Sequence, residues 1–192
     1  AQVTDYMERY QFGEAARVLH TFFWNEFCDW YIEFSKADLR NDGAPEARLQ
    51  TQRNLVFVLD RALRLLHPAM PFVTEAIWEN VPHEADEAPA LMVAAWPEPQ
   101  SLAMWENDDA ERAVGLLCDV VSAVRSTRAR YGISPKKEIE VVVRAEEGSA
   151  CVLEPLRAQI TSMGRVSNLV ISLDAEKPPE SAAAVTSGCE VY

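Results

Sequence analysis

The sequence predicts a mainly α fold, a helical bundle followed by a small α+β module. Three observations carry that prediction. From the first residues to Tyr131, apolar side chains recur at steps of three and four. Glycine and proline clusters cut this pattern into helix-sized pieces. After Ser134-Pro135 the pattern changes to short β-branched runs. The bundle is therefore expected over residues 1–134 and the module over 135–192.

Each element has a local signal. Val3 to Arg9 reads as a helix already under way, with Thr4 the one candidate cap, so the N-terminus is expected to be a cut. Gln11-Phe12-Gly13 breaks it, and a long helix follows to Arg40, ended by Asn41-Asp42-Gly43 with Pro45 beyond. A third helix runs from Glu46 to Leu66. Pro68 and Pro71, three apart, cannot both lie inside a helix, so His67 to Pro71 is a junction, with His67 fixing it. A short helix spans Phe72 to Asn80. Residues 82–107, rich in Pro, Glu and Ala, read as an acidic connection with little regular structure, and a last bundle helix covers Asp108 to Tyr131. In the module, Ile139 to Arg144 and Ser167 to Leu173 are strands and Cys151 to Met163 a helix. Val185 and Val191 flank a Ser187-Gly188 turn, giving a hairpin whose second strand the chain end is expected to cut short.

Composition narrows the class. With 192 residues and 48% hydrophobic content there is enough apolar material for a core without staples. The four cysteines, Cys28, Cys118, Cys151 and Cys189, follow no metal or disulfide spacing, which points to a reducing, cytoplasmic setting. No run of eighteen apolar residues is present, so no membrane partner is expected. The net charge of −12 argues at first sight against nucleic acid, and no DNA partner is expected, but the charge is concentrated: residues 75–111 hold ten acids and no Lys or Arg. Residues 121–144 carry a local +4, which leaves one side open to an anionic partner.

The most unusual stretch is FFWNEFCDWYIEFSK, from Phe22 to Lys36. Ala16, Leu19, Phe23, Phe27, Trp30 and Phe34 form a single apolar stripe at helical spacing, with Trp24 and Tyr31 widening one flank. On the other flank Glu26, Asp29, Glu33 and Lys36 line up, with Phe22 and Ile32 on the same side. On composition alone a solvated polar face with an incidental ring accounts for that flank better than a binding site does. Catalytic pairing of Asp29 with Glu33 would need a pocket that nothing in the sequence implies, so no catalytic residue is assigned. No HExxH, Ser-His-Asp set or Gly-rich phosphate loop is present, and no metal site is expected. His20 reads as a packed or partly exposed ring, and His83 opens the acidic connection. Arg125, Arg128, Lys136 and Lys137 are candidate phosphate contacts, against a solvated basic face as the plainer account.

Longer motifs are more specific. The FFWNEFCDWYIEFSK run, preceded by Tyr10-Gln11-Phe12 and Ala15-Ala16, and LDRALRLLHPAMPFVTEAIWENVP from Leu59 to Pro82, resemble the C-terminal region of the valyl-tRNA synthetases, a class I family. The segment VRSTRARYGISPKKEIEVVV is similar to that family's sequence leading into its small α+β module. The resemblance implies an anticodon-binding bundle with valine tRNA as partner, acting as a monomer and without a cofactor of its own. Valine activation, editing, ATP and Mg would belong to other parts of a longer ligase, so these residues alone are expected to be inactive in aminoacylation. Part of the tRNA-binding surface would lie beyond both ends of the chain. Valine anticodons end in adenine then cytosine, whose exocyclic amino groups suit carboxylate acceptors such as Glu26, Asp29 and Glu33, while a ring such as Phe22 offers a stacking surface. The alternative is an acidic helical domain that docks a basic protein and binds no RNA.

Overall fold

The computed structural model describes residues 1–82, 88–98 and 103–192, so His83 and parts of the acidic connection lie outside the described residues. The architecture is mainly helical with one small sheet, as the sequence predicts. Contacts divide the chain into two compact units, Ala1–Glu106 and Asn107–Tyr192.

In the first unit α1 (Gln2–Glu8) packs on α2 (Phe12–Thr21), with Tyr10 in the left-handed region (φ 59°) turning the chain between them. α2 continues without a break into a π-helical segment (Phe22–Ile32) and then α3 (Glu33–Leu39). The sequence predicts this rod, but as a uniform α-helix. A π-helix closes i→i+5 hydrogen bonds and is therefore wider, so residues four apart stay closer to one face. The buried line accordingly runs Ala15, Leu19, Phe27 and Ser35, with half-buried Phe23 and Tyr31 filling the intervening steps of four. The rings of Phe23, Phe27 and Tyr31 follow one another at centroid distances of 5.6 and 6.0 Å. The expected stripe shared Leu19, Phe23 and Phe27 with this line and lost register at both ends: Ala16 is exposed, and Trp30 and Phe34 are half-buried beside Tyr31 and Ser35.

α4 (Pro45–Leu66) begins with proline at its first turn, where the missing N–H costs no bond. The junction to α5 (Pro71–Trp78) is held by side chains. His67 Nδ1 lies 2.9 Å from Thr74 Oγ1, whose hydroxyl donates to Met70 O at 2.8 Å, so the histidine fixes the junction as expected. Trp78 Nε1 donates to buried Asp60 at 2.9 Å, and Arg64 grips the same carboxylate at 2.9 and 3.0 Å. Glu75 accepts from the amide of Leu91 at 2.8 Å, seating a short 3-10 turn (Leu91–Val93) on the core formed by Leu63, Trp78 and Val81. Trp96 donates to Thr4 at 3.0 Å. Residues 88–98 are thus packed onto the bundle, more ordered than the acidic connection the sequence predicts.

The second unit opens with α6 (Asp108–Arg130), capped by the Asn107 side chain, which accepts from the amides of Asp109 and Ala110 at 3.1 and 3.0 Å. Among the described residues the sheet has four strands in the order β2-β1-β4-β3. β1 (Ile139–Ala145) and β2 (Val166–Ser172) are parallel, joined by a crossover through α7 (Glu147–Leu153) and α8 (Arg157–Gly164). Pro155 interrupts what the sequence predicts as one helix. β3 (Ala184–Thr186) and β4 (Cys189–Val191) form the expected hairpin, with Gly188 at φ 94° in its turn. α6 packs against α8, β3 and β4, burying Leu117, Val120, Val121 and Val124. The sequence reading assigned this helix to the bundle and set the boundary at 134/135; the contacts divide the chain at 106/107. The reason is that the alternating buried face of β1, with Val141, Val143 and Ala145, needs a helical cover.

Candidate nucleic-acid interface

The residues that the sequence offers as candidates fall into two separate sets, one in each unit. In the first, the π-helical segment presents Phe22 and Ile32 half-buried and Glu26 and Asp29 exposed. Among the described residues neither Glu26 nor Asp29 has a hydrogen-bond or ion-pair partner, so both carboxylates keep their full acceptor capacity toward solvent. Glu33 differs: Lys36 forms an ion pair with it along the helix, i to i+3. Lys36 and Glu33 thus offset each other, and Glu33 is the least available acceptor of the three.

Ring exposure changes with the helical register. Trp24, expected on the flank of the core, is 58% exposed and stacks on His20 with centroids 6.4 Å apart and an interplanar angle of 12°. A flat, partly solvated ring pair therefore sits on the same rod as the carboxylates. The sequence places His20 on the flank near Trp24, four residues apart, but reads that flank as widening the core stripe, so the exposure of Trp24 is what it misses.

The motif around His67 that supports the family resemblance is occupied with structure. Burial pushes the Asp60 carboxyl up, but the hydrogen bonds from Arg64 and Trp78 and the charges of Arg64 and Arg61 outweigh it and hold the carboxyl below its ordinary value. Asp60, His67, Thr74, Glu75 and Trp78 shape the bundle and leave few groups for a ligand.

In the second unit the four candidate phosphate contacts separate. Lys136 and Lys137 are exposed in the turn before β1. Arg125 is exposed on α6 and donates to Met163 O at 3.4 Å. Arg128 is corrected from a surface contact to a buried clamp. It is 7% exposed and donates to the carbonyls of Ser134 (2.7 Å), Lys137, Gly164 (3.5 Å) and Arg165 (3.4 Å). With its donors turned inward onto the backbone it has no face left for a phosphate.

Among the described residues no group of His, Cys, Asp and Glu is arranged to hold a metal, and no helix is long and apolar enough to cross a membrane. The four cysteines are free thiols. Comparison with known proteins gives a consistent result. Residues 1–143 match the family described as the anticodon-binding domain of tRNA ligase. Over nearly its whole length the chain is similar to valine–tRNA ligases: 37% identical over 191 residues to that of Staphylococcus carnosus, 39% over 191 to that of Geobacillus kaustophilus, and 38% over 208 to that of Symbiobacterium thermophilum. These alignments cover 98–99% of this chain and 21–22% of the relatives, so the chain spans about a fifth of their length.

Proposed function

Because the chain belongs to the family of anticodon-binding domains of tRNA ligases, we propose that it binds valine tRNA and holds the anticodon in place for aminoacylation carried out by other parts of a longer ligase. The observation that carries the reading is the pair of exposed, unpartnered carboxylates, Glu26 and Asp29, on the aromatic segment that also bears Phe22. A carboxylate accepts from the exocyclic amino groups of adenine and cytosine; uracil has a carbonyl oxygen where cytosine has its amino group and keeps N3–H as its one donor on that edge. A ring beside it gives a splayed base a surface to stack on. Valine as the cognate amino acid is supported by the names of the relatives.

Affinity would come from a different source. Lys136 and Lys137, with Arg125, supply sequence-independent attraction to phosphates, which an acidic chain needs if it is to hold RNA at all. The chain acts as a monomer in the cytoplasm, and needs no ATP or Mg for binding. A binding titration with valine tRNA and with a transcript of another anticodon tests the reading; preference for the valine anticodon is expected, and equal binding to both would overturn it.

A further inference from the structure

We propose that Arg165 is a fourth phosphate-contacting residue, presented beside Lys136 and Lys137 by the buried Arg128 clamp. The inference rests on the RNA-binding reading and extends it to a residue beyond the part of the chain that matches the family. Arg165 is exposed and follows α8 in the left-handed region, at φ 54° and ψ 56°, a conformation that a β-carbon disfavours and that glycine usually supplies at a helix end. Gly164 is immediately before it but is committed elsewhere: a β-carbon there would meet Val166 Cγ2 at 3.0 Å and Val124 Cγ1 at 3.5 Å. The helix therefore ends one residue later, on an arginine, and its carbonyl is held twice. Ile139 N donates to it at 3.2 Å and Arg128 at 3.4 Å.

The same guanidinium holds Ser134 O and Lys137 O. One buried side chain thus ties the turn carrying Lys136 and Lys137 to the helix end carrying Arg165, so three exposed cations start from backbone gathered around a single group. Arg125, whose Nε donates to the neighbouring carbonyl of Met163, adds a further positive charge at this end of α6. Glu138 and Glu140 are the exposed acids in the adjoining chain, so cations outnumber acids here. Cations grouped on fixed backbone suit successive phosphates of an RNA strand, which are evenly spaced and carry no sequence information.

The test is the salt dependence of valine-tRNA binding by the 192-residue chain, comparing Arg165→Gly, Arg165→Lys and a Lys136→Ala/Lys137→Ala double variant. Arg165→Gly keeps the carbonyls that Arg128 grips and relieves the left-handed strain, so a purely structural arginine predicts unchanged binding and equal or higher thermal stability. A phosphate contact predicts that the variant loses one contact's share of the salt effect, about threefold of the affinity change between 50 and 200 mM salt. Arg165→Lys should restore it. If the double variant flattens the salt dependence while Arg165→Gly does not, the assignment of Arg165 is overturned and the RNA-binding reading stands. If neither changes it, Arg165, Lys136 and Lys137 all fail as phosphate contacts, and the RNA-binding reading is decided separately by anticodon preference.

Discussion

Asp60 shows how much a single side chain holds together. Its carboxylate is buried at 6% exposure and receives Trp78 of α5, Arg64 of its own helix and Arg61. Removing its charge breaks a nearly buried ion pair with Arg64 and weakens the bonds from Arg61 and Trp78, so Asp60→Asn should destabilise the chain by about 3 kcal/mol in denaturant titration. The sign of the pH dependence follows from the direction of the shift. A carboxyl held below its ordinary value when folded contributes fully above the unfolded value, near about 4, and loses that contribution as pH falls through the folded value. Wild type should therefore lose stability more steeply than Asp60→Asn on acidification below about pH 4, and parallel acid limbs would rule out the Asp60 contribution. Within Leu59–Pro82 the polar residues bond one another: Arg64 and Trp78 to Asp60, and His67 to Thr74. The basic candidates show the opposite lesson. Arg125 and Arg128 look alike in sequence, three residues apart, and only the carbonyls that converge from two distant segments make Arg128 a buried clamp.

At the scale of elements, most helices and strands were legible because caps, prolines and periodicity act locally. Pro45, Asn107 and the Ser187-Gly188 turn each mark the boundary that the structure adopts. What was not legible is the phase of the central rod, since the widening from α to π alters which residues share a face without altering composition. Its ends provide a direct check. Ala15 is 1% exposed and Ala16 is exposed. Enlarging Ala15 to Leu should cost about 1–3 kcal/mol by overpacking, whereas Ala16→Leu should change stability by less than about 0.5 kcal/mol. The stripe expected from sequence ran through Ala16 and requires the reverse order, so denaturation midpoints of the two variants decide between them. Trp24, inside the widened segment, is exposed, while Glu33 fell behind Glu26 and Asp29 as an acceptor for a local reason, its i to i+3 ion pair with Lys36 within α3.

For the molecule as a whole, the consequential difference concerns α6. Periodicity identifies it as a helix but says nothing of which core it completes, because its face of Leu117, Val120, Val121 and Val124 would suit a bundle or a sheet equally well. The contacts place it with the strands, so residues 107–192 should fold alone while residues 135–192 should not. Circular dichroism and a cooperative thermal transition for the longer piece, with neither for the shorter, are the expected results; a folded 135–192 fragment would favour the boundary expected from sequence. Charge is also uneven at this scale, with acids in residues 75–111 and the clamped basic turn in the second unit, so an acidic molecule can still offer cations to a phosphate backbone.

The central claim is that the exposed acids of the aromatic rod read the anticodon. Its most direct measurement is a binding cycle in which the wild-type chain and Asp29→Asn are each titrated with valine tRNA and with the same transcript carrying uracil in place of the anticodon's terminal cytosine. Wild type should prefer the cytosine transcript, and Asp29→Asn should lose about 1 to 3 kcal/mol of that preference, even though removing a negative charge would by electrostatics alone tighten binding to both. Equal or improved affinity of the variant for both transcripts, with the preference unchanged, would contradict it.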